Sequence, residues 1–363
     1  MVTSTDAELT VALRQARSPV EPCRAPPAAG LRTRMATSTR VRRLLPTGLM
    51  VRRAERQGRA VWARDAEERD RARRAMEAIV GGTERAHEVE SLACQHVVET
   101  KVRKALFWQP WTSPSLEEAA SERLRGALHS GRGVLLSACH CGPYLLGVSA
   151  VAALGRTTYS ASSWALLPPM PGYWGRRIAR RRQEARARDE RIVHSAGSFA
   201  LLKALLEEGQ VVGVYFAMPG SRETHFLGKT VMLASGSARL AAATDALVVP
   251  IRTRRVAHRV WVDVGEPLDA RELDGEEELH EALAAVHERW ILELPASMED
   301  PNREGAWQQS ATAEAWLRPE REHAAARAGL RRGLIRRQAG TSRRSSTSTS
   351  AGSSAPSPNS SAG

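Results

Sequence analysis

The chain has 363 residues, 42% of them hydrophobic, and a formal net charge of +13. That is enough apolar material for one large α/β domain with tails, and no apolar run approaches the roughly 20 residues needed to cross a bilayer. The charge favours anionic partners: phospholipid surfaces, phosphorylated substrates, an acidic carrier protein or nucleic acid.

Residues 1–43 mix Pro, Ala, Ser, Thr and Arg without apolar periodicity and read as a disordered N-terminal segment. An Arg- and Ser-rich start resembles a transit peptide, but Asp6 and Glu8 spoil that pattern. An over-long start, with Met35 or Met50 as alternatives, is the other reading. Residues 44–114 read as a helical region. Ala75, Ile79, Val89, Leu92, Ala93, His96 and Val97 form a helical stripe amid charge, for packing on a sheet or lying on lipid. The run 106–111, Leu-Phe-Trp-Gln-Pro-Trp, follows Lys101, Arg103 and Lys104. It suits a membrane interface or a helix end tucked into a core.

From Ser115 strand and helix patterns alternate. Helix Leu116–Ser130 precedes strand Val134–Cys139, and helix Tyr144–Leu154 precedes strand Thr157–Ser162. A basic helix, Tyr173–Arg188, precedes strand Arg191–His194. Helix Ser198–Glu208 precedes strand Val211–Ala217. Helix Ser237–Ala243 leads to strand Leu247–Thr253, paired with Arg259–Val264, and helix Gly275–Leu294 closes the core. This order predicts an α/β fold with a mainly parallel sheet covered by helices on both faces, over residues 115–318. Residues 319–363 read as a basic segment followed by a flexible Ser/Thr/Gly-rich tail.

His140 follows the apolar run Gly133–Cys139 and opens the turn Cys141-Gly142-Pro143-Tyr144. A histidine there sits at the carboxyl end of a strand, where open α/β sheets place their ligands. Its imidazole either takes a proton from a hydroxyl near neutral pH or caps the turn. Cys23, Cys94, Cys139 and Cys141 show no disulfide spacing, which points to a reducing cytosol. Cys139 and Cys141 flank His140 too closely for a metal site, and no metal is expected. Gly236-Ser237-Ala238-Arg239 opens a helix whose N–H groups suit an anion, or Ser235 or Ser237 simply caps it. Arg222 is either an anion ligand or a surface partner of Glu223.

The segment His140-Cys141-Gly142-Pro143-Tyr144-Leu145 resembles the lysophospholipid acyltransferase superfamily, most closely its lipid A and glycolipid (lauroyl-type) branch. His140 and Gly142 match the family turn; Leu145 stands where the family carries an acid. Leu201–Gln210 followed by Val211–Phe216 is similar to the helix and strand before the family's second motif. Met218-Pro219-Gly220-Ser221-Arg222 resembles its signature Pro-Glu-Gly-Thr-Arg, with Pro219 in the glutamate's place. The Asp-Gln pair usual in the lipid A branch is also missing. Phe226–Lys229, Ala234–Ala241 and Val248–Ile251 follow in order, so the likeness runs roughly from Arg52 to Leu294.

The resemblance implies a glycerolipid acyltransferase-like fold. It implies transfer of a fatty acyl chain from acyl-CoA or an acyl carrier protein to a hydroxyl of a lipid, glycolipid or similar acceptor. His140 would be the general base. Glu223, in the loop that the family places beside the histidine, would replace the missing acid, unless a backbone carbonyl does. Gly142, Gly220, Ser221, Arg222, Gly236, Ser237 and Arg239 would bind substrate, and no cofactor is needed. The expected setting is peripheral, on the cytoplasmic face of an anionic membrane. Seven arginines between Arg176 and Arg188 would meet that surface. Two other classes stay open: a non-catalytic protein that keeps the fold to bind acyl groups or a partner, and a basic nucleic-acid-associated protein. No specific nucleic-acid motif is present.

Overall fold

The strand patterns are apolar at successive positions, and the computed structural model shows why: their sheet is covered on both faces. It describes residues 6–21, 38–107, 109, 112–162, 164–166, 172–194 and 198–299. In chain order the helices are α1 (Asp6–Arg17), α2 (Thr39–Arg43), α3 (Thr47–Arg64), α4 (Ala66–Val80), α5 (Val89–Phe107), α6 (Glu118–Leu128), α7 (Val148–Ala153), α8 (Gly172–Ala187), α9 (Phe199–Glu207), α10 (Gly236–Ala242) and α11 (Gly275–Glu293). The strands are β1 (Ser115–Leu116), β2 (Val134–Ala138), β3 (Thr158–Ala161), β4 (Glu190–Val193), β5 (Val211–Tyr215), β6 (Pro219–Phe226), β7 (Lys229–Leu233), β8 (Leu247–Val256), β9 (Arg259–Val264) and β10 (Leu268–Asp269).

The main sheet has the order β1-β9-β8-β2-β5-β3-β4, with β10 on β8. β8, β2, β5, β3 and β4 run parallel, while β9 and β10 pair antiparallel with β8. β2 is therefore central, between β5 and β8. Alternate residues divide between two cores. Val134, Leu136, Val211 and Val249 pack with α6 and α7. Leu135, Val212 and Val248 pack with α4, α5, α9, α10 and α11. Such two-sided burial explains continuous apolar strands in a parallel sheet.

The N-terminal helices belong to the same compact unit as the sheet. Ala75, Ile79, Leu92, Ala93 and Val97 of the sequence stripe are buried there. α3 and α5 also cover the turn after β2, through Val51, Ala54, Val102, Leu106 and Leu146. α3 approaches α5 at Gly58, where a Cβ would lie 2.6 Å from the Val98 Cα. No helix among the described residues is long and apolar enough to cross a membrane.

Three features depart from the sequence reading. Within 1–43, Asp6–Arg17 forms a helix that buries Ala16; Arg17 pairs with Glu208 and its carbonyl accepts from Arg191. Leu13 and Ala16 pack against the main core, and the Arg17 contacts tie the helix to the elements beside it. Residues 219–233, read as motif and turn, form the antiparallel hairpin β6–β7, closed by Leu227 and Gly228 at positive φ. The Ser/Thr/Gly-rich tail, and Trp108, Pro110 and Trp111 of the aromatic run, lie outside the described residues.

The third departure is α8. Its arginines were expected to face an anionic surface, yet Arg180 and Arg181 are buried. Arg181 makes a two-pronged ion pair with Glu190 on β4, at 2.6 Å for one prong. Arg180 lies 3.5 Å from Glu184, and Arg182 donates to the Ala165 carbonyl. Arg186 is exposed. The carboxylates Glu184 and Glu190 draw the helix's charge inward. Removing one partner of a buried pair strands the other charge at a cost of about 3–5 kcal/mol. Glu190→Gln is therefore expected to lower the urea midpoint sharply, and the double change Arg181→Met, Glu190→Leu to restore most of it. A Glu190→Gln midpoint equal to wild type would mean the pair is not sealed from water.

Candidate active site at the end of strand β2

His140 lies two residues past β2. Its ring stacks on Tyr215, the last residue of β5, with centroids 4.1 Å apart and planes 19° from parallel. Tyr144 meets it edge-on at 4.7 Å. Register places Tyr215 beside Ala138, so two neighbouring parallel strands deliver both rings to one end of the sheet. The turn from His140 to Tyr144 requires Gly142: its φ is +58°, and a Cβ there would stand 2.4 Å from the Thr253 carbonyl oxygen. The Thr253 hydroxyl in turn donates to the Cys141 carbonyl at 3.0 Å. Gly142 thus serves the backbone. Cys139 and Cys141 are buried, and the Cys141 thiol donates to the Met298 sulfur at 3.2 Å. Burial pushes the Cys141 thiol up to about 12, so it is not a thiolate at neutral pH.

After α11 the chain crosses this turn as a strap. The Gly142 N–H donates to the Ser297 carbonyl, and the Glu299 N–H to the His140 carbonyl, each at 2.8 Å. The strap sets the Glu299 carboxylate into the site. Tyr144 donates its hydroxyl to it at 3.0 Å, and Arg103 of α5 lies 3.6 Å away. Burial raises the Glu299 carboxyl, but Arg103, His140, the Tyr144 hydroxyl and Arg177 outweigh it and hold the group below its ordinary range. Burial pushes the His140 imidazole down to about 4; Glu299 counters this in part, and Arg103 adds to it. The ring is therefore neutral at pH 7, the form that accepts a proton. Neither of its nitrogens has a hydrogen-bond partner among the described residues, so Glu299 acts on it through charge.

Tyr144 and Glu299 also line a cavity of about 320 Å³. Its walls come from α4, α5, α8 and the turn Pro143–Leu146. The apolar side includes Val97, Leu106, Phe107 and Leu146, and the polar side Arg71, Arg103, Lys104 and Arg177.

The other residues singled out in the sequence stand elsewhere. Glu223 is exposed on β6, opposite Met232, and contributes nothing to the charge around His140, where Glu299 is the carboxylate. Side chains on a hairpin alternate in direction, and at this register Glu223 points to water while Thr224 points in. Arg222 is held by Glu276 at 3.0 Å and Glu277 at 3.3 Å. Gly220 is a close-packing position, where a Cβ would stand 2.3 Å from Ala234. Ser221 is exposed. Gly236 and Arg239 are exposed on α10, Arg239 over the Phe199 ring, and Ser237 is buried. Ser235 caps α10 without a side-chain hydrogen bond. None of these residues lines the cavity, and neither does His140, which meets it only through Tyr144 and Glu299. Glu299, Tyr144, Tyr215 and Arg103 were not singled out for the site in the sequence.

No family model and no curated protein matches this sequence. Among solved structures, it is similar to the 1-acyl-sn-glycerophosphate acyltransferase PlsC from Thermotoga maritima. The TM-score is 0.33 and the identity 17%, over 57% of this chain and 83% of that one. The structure itself establishes an α/β fold around a mostly parallel sheet, with His140, Tyr144, Tyr215 and Glu299 gathered at the end of its central strand.

Proposed function

We propose that this protein is an acyltransferase that moves an acyl chain from a thioester to a hydroxyl, with His140 as general base and Glu299 as the carboxylate that supports it. The observation that carries the reading is the placement of Glu299: the strap after α11 brings a carboxylate that lines the cavity into the surroundings of a neutral, strand-end histidine. His140 takes the acceptor's hydroxyl proton as its oxygen attacks the thioester carbon. A C–O bond forms, the C–S bond breaks, and the thiolate recovers the proton from the imidazolium. The negative charge of Glu299 favours that imidazolium most when it is fully formed, which is where catalysis needs it.

Acyl-CoA or an acyl carrier protein is the donor on this reading, and a lipid, glycolipid or similar alcohol the acceptor. The setting is the cytoplasmic face of an anionic membrane. Leu44 and Leu49 are exposed beside Arg43, Arg52 and Arg53, a pairing that suits an anionic lipid surface better than α8 does. The test is incubation with acyl-CoA or acylated carrier protein and hydroxyl acceptors, free or in anionic vesicles. Release of free thiol with ester formation, and salt-sensitive sedimentation with the vesicles, is the expected result. No ester from any donor and acceptor pair would leave the fold as a binding scaffold.

A further inference from the structure

The strap that carries Glu299 opens with a short turn, Pro295–Ser297, in which the Ser297 hydroxyl donates to the Leu294 carbonyl at 2.7 Å. Two side chains of α5 grip its backbone. The Arg103 guanidinium donates to the Ser297 carbonyl, and the His96 Nδ1 to the Ala296 carbonyl, each at 3.2 Å. A carbonyl only accepts, so Nδ1 carries the proton of this ring. His96 and Arg103 lie two helical turns apart, on one face of α5. Arg103 also pairs with the Glu299 carboxylate, 3.6 Å away. Only 14% of one side chain and 13% of the other is exposed, so each charge depends on its partner.

We infer that Arg103 is a positioning residue: it seats the strap by holding Ser297 and Glu299 at once, and so keeps the carboxylate in the surroundings of His140. The arginine's own charge works against the base, since it lowers the His140 imidazole while Glu299 raises it. Arg103 therefore helps only by where it puts the carboxylate. The strap also covers Cys141, whose thiol lies against the Met298 sulfur at 3.2 Å. Release of the strap uncovers that thiol. Cys139 is buried beside Ala217, just past β5, and wider unfolding is needed to expose it. The catalytic consequence rests on the acyl-transfer reading; the seating of the strap rests on these contacts alone.

The experiment follows both thiols in the full chain by iodoacetamide labelling, located by mass spectrometry. Cys141 should react about tenfold or more faster in Arg103→Ala than in wild type, the loss of one charge-assisted hydrogen bond, while Cys139 stays protected. His96→Leu removes the other grip without stranding a polar group and should also speed Cys141. Millimolar guanidinium chloride should restore protection to Arg103→Ala, because Arg103 lines the cavity and a solute can refill its place; sodium chloride should not. In turnover, Arg103→Ala should lower kcat about tenfold to a hundredfold with KM little changed. In the Glu299→Gln background the same change should leave kcat level or raise it, since no carboxylate remains to be placed. Wild-type protection of Cys141 in Arg103→Ala, or an equal loss of kcat in both backgrounds, would overturn the inference. So would labelling of Cys139 together with Cys141, which would mean that Arg103 serves the whole end of the sheet. If Cys141 opens as expected but the wild type transfers no acyl group, the acyl-transfer reading fails and the seat of the strap stands.

Discussion

Replacing Glu299 by glutamine is expected to lower acyl transfer by about 10²- to 10⁴-fold, and His140→Ala to remove it to background. Glutamine keeps the shape and still accepts from the Tyr144 hydroxyl, but it carries no charge. The imidazolium would then form beside Arg103 with nothing to offset it. The loss should fall on kcat, because Glu299 acts on a charge that exists only as the reaction proceeds. With His140 pushed down to about 4 by burial, the wild-type rate should stay level from pH 8 to about 5 and fall only as the ring becomes protonated. Glu299→Gln withdraws the influence that raises the imidazole, so its acid limb should move to lower pH. Steady-state rates over that range decide the matter. Wild-type turnover in Glu299→Gln, together with a dead His140→Ala, would assign the supporting role to another group.

The position of His140 was legible because the signal is local: an apolar run, then a turn with Gly142 and Pro143. The elements β2, β5 and β8 were legible for the same reason, since parallel strands buried on both faces are apolar throughout. Glu299 was not. It lies 155 positions from Tyr144, its hydrogen-bond partner, and nothing in its own neighbourhood marks it. Only the path of the chain after α11 brings it to the turn. Glu223 drew attention by its place beside Arg222, but a hairpin fixes side-chain direction by register, which spacing from a motif does not reveal. The arginines of α8 show a related limit. A count of charges does not say which way they face, although Glu184 and Glu190 within the same stretch were a usable sign of internal pairing.

Lowering the pH from 7 to 5 is expected to destabilise the fold steeply, on the order of 4 kcal/mol per pH unit, because four histidines, His140 and three others, are held neutral by burial. His96 is pushed down to about 4 by burial and Arg103, against the Ala296 carbonyl and Glu299. His280 is pushed down to about 4 by burial and Arg222, against Glu277. His287 is pushed down to about 3 by burial alone, between Phe216 and Trp290 with Ser137 hydrogen-bonded to Nε2. All three, like His140, lie well below the unfolded value of about 6.5, so between pH 6.5 and 4 the unfolded chain binds more protons than the folded one. Stability is complete above about pH 6.5 and drains away as the pH falls towards 4. A domain with about 5–15 kcal/mol in hand would unfold within that window. Urea midpoints at pH 7, 6 and 5 measure the slope. His280→Gln, which can still hydrogen-bond Thr224, should cost some stability at pH 7 yet flatten the slope by about a quarter. A midpoint that does not move between pH 7 and 5 would show that these rings reach water, and with it that the core between β2, β6 and α11 is looser than its contacts imply.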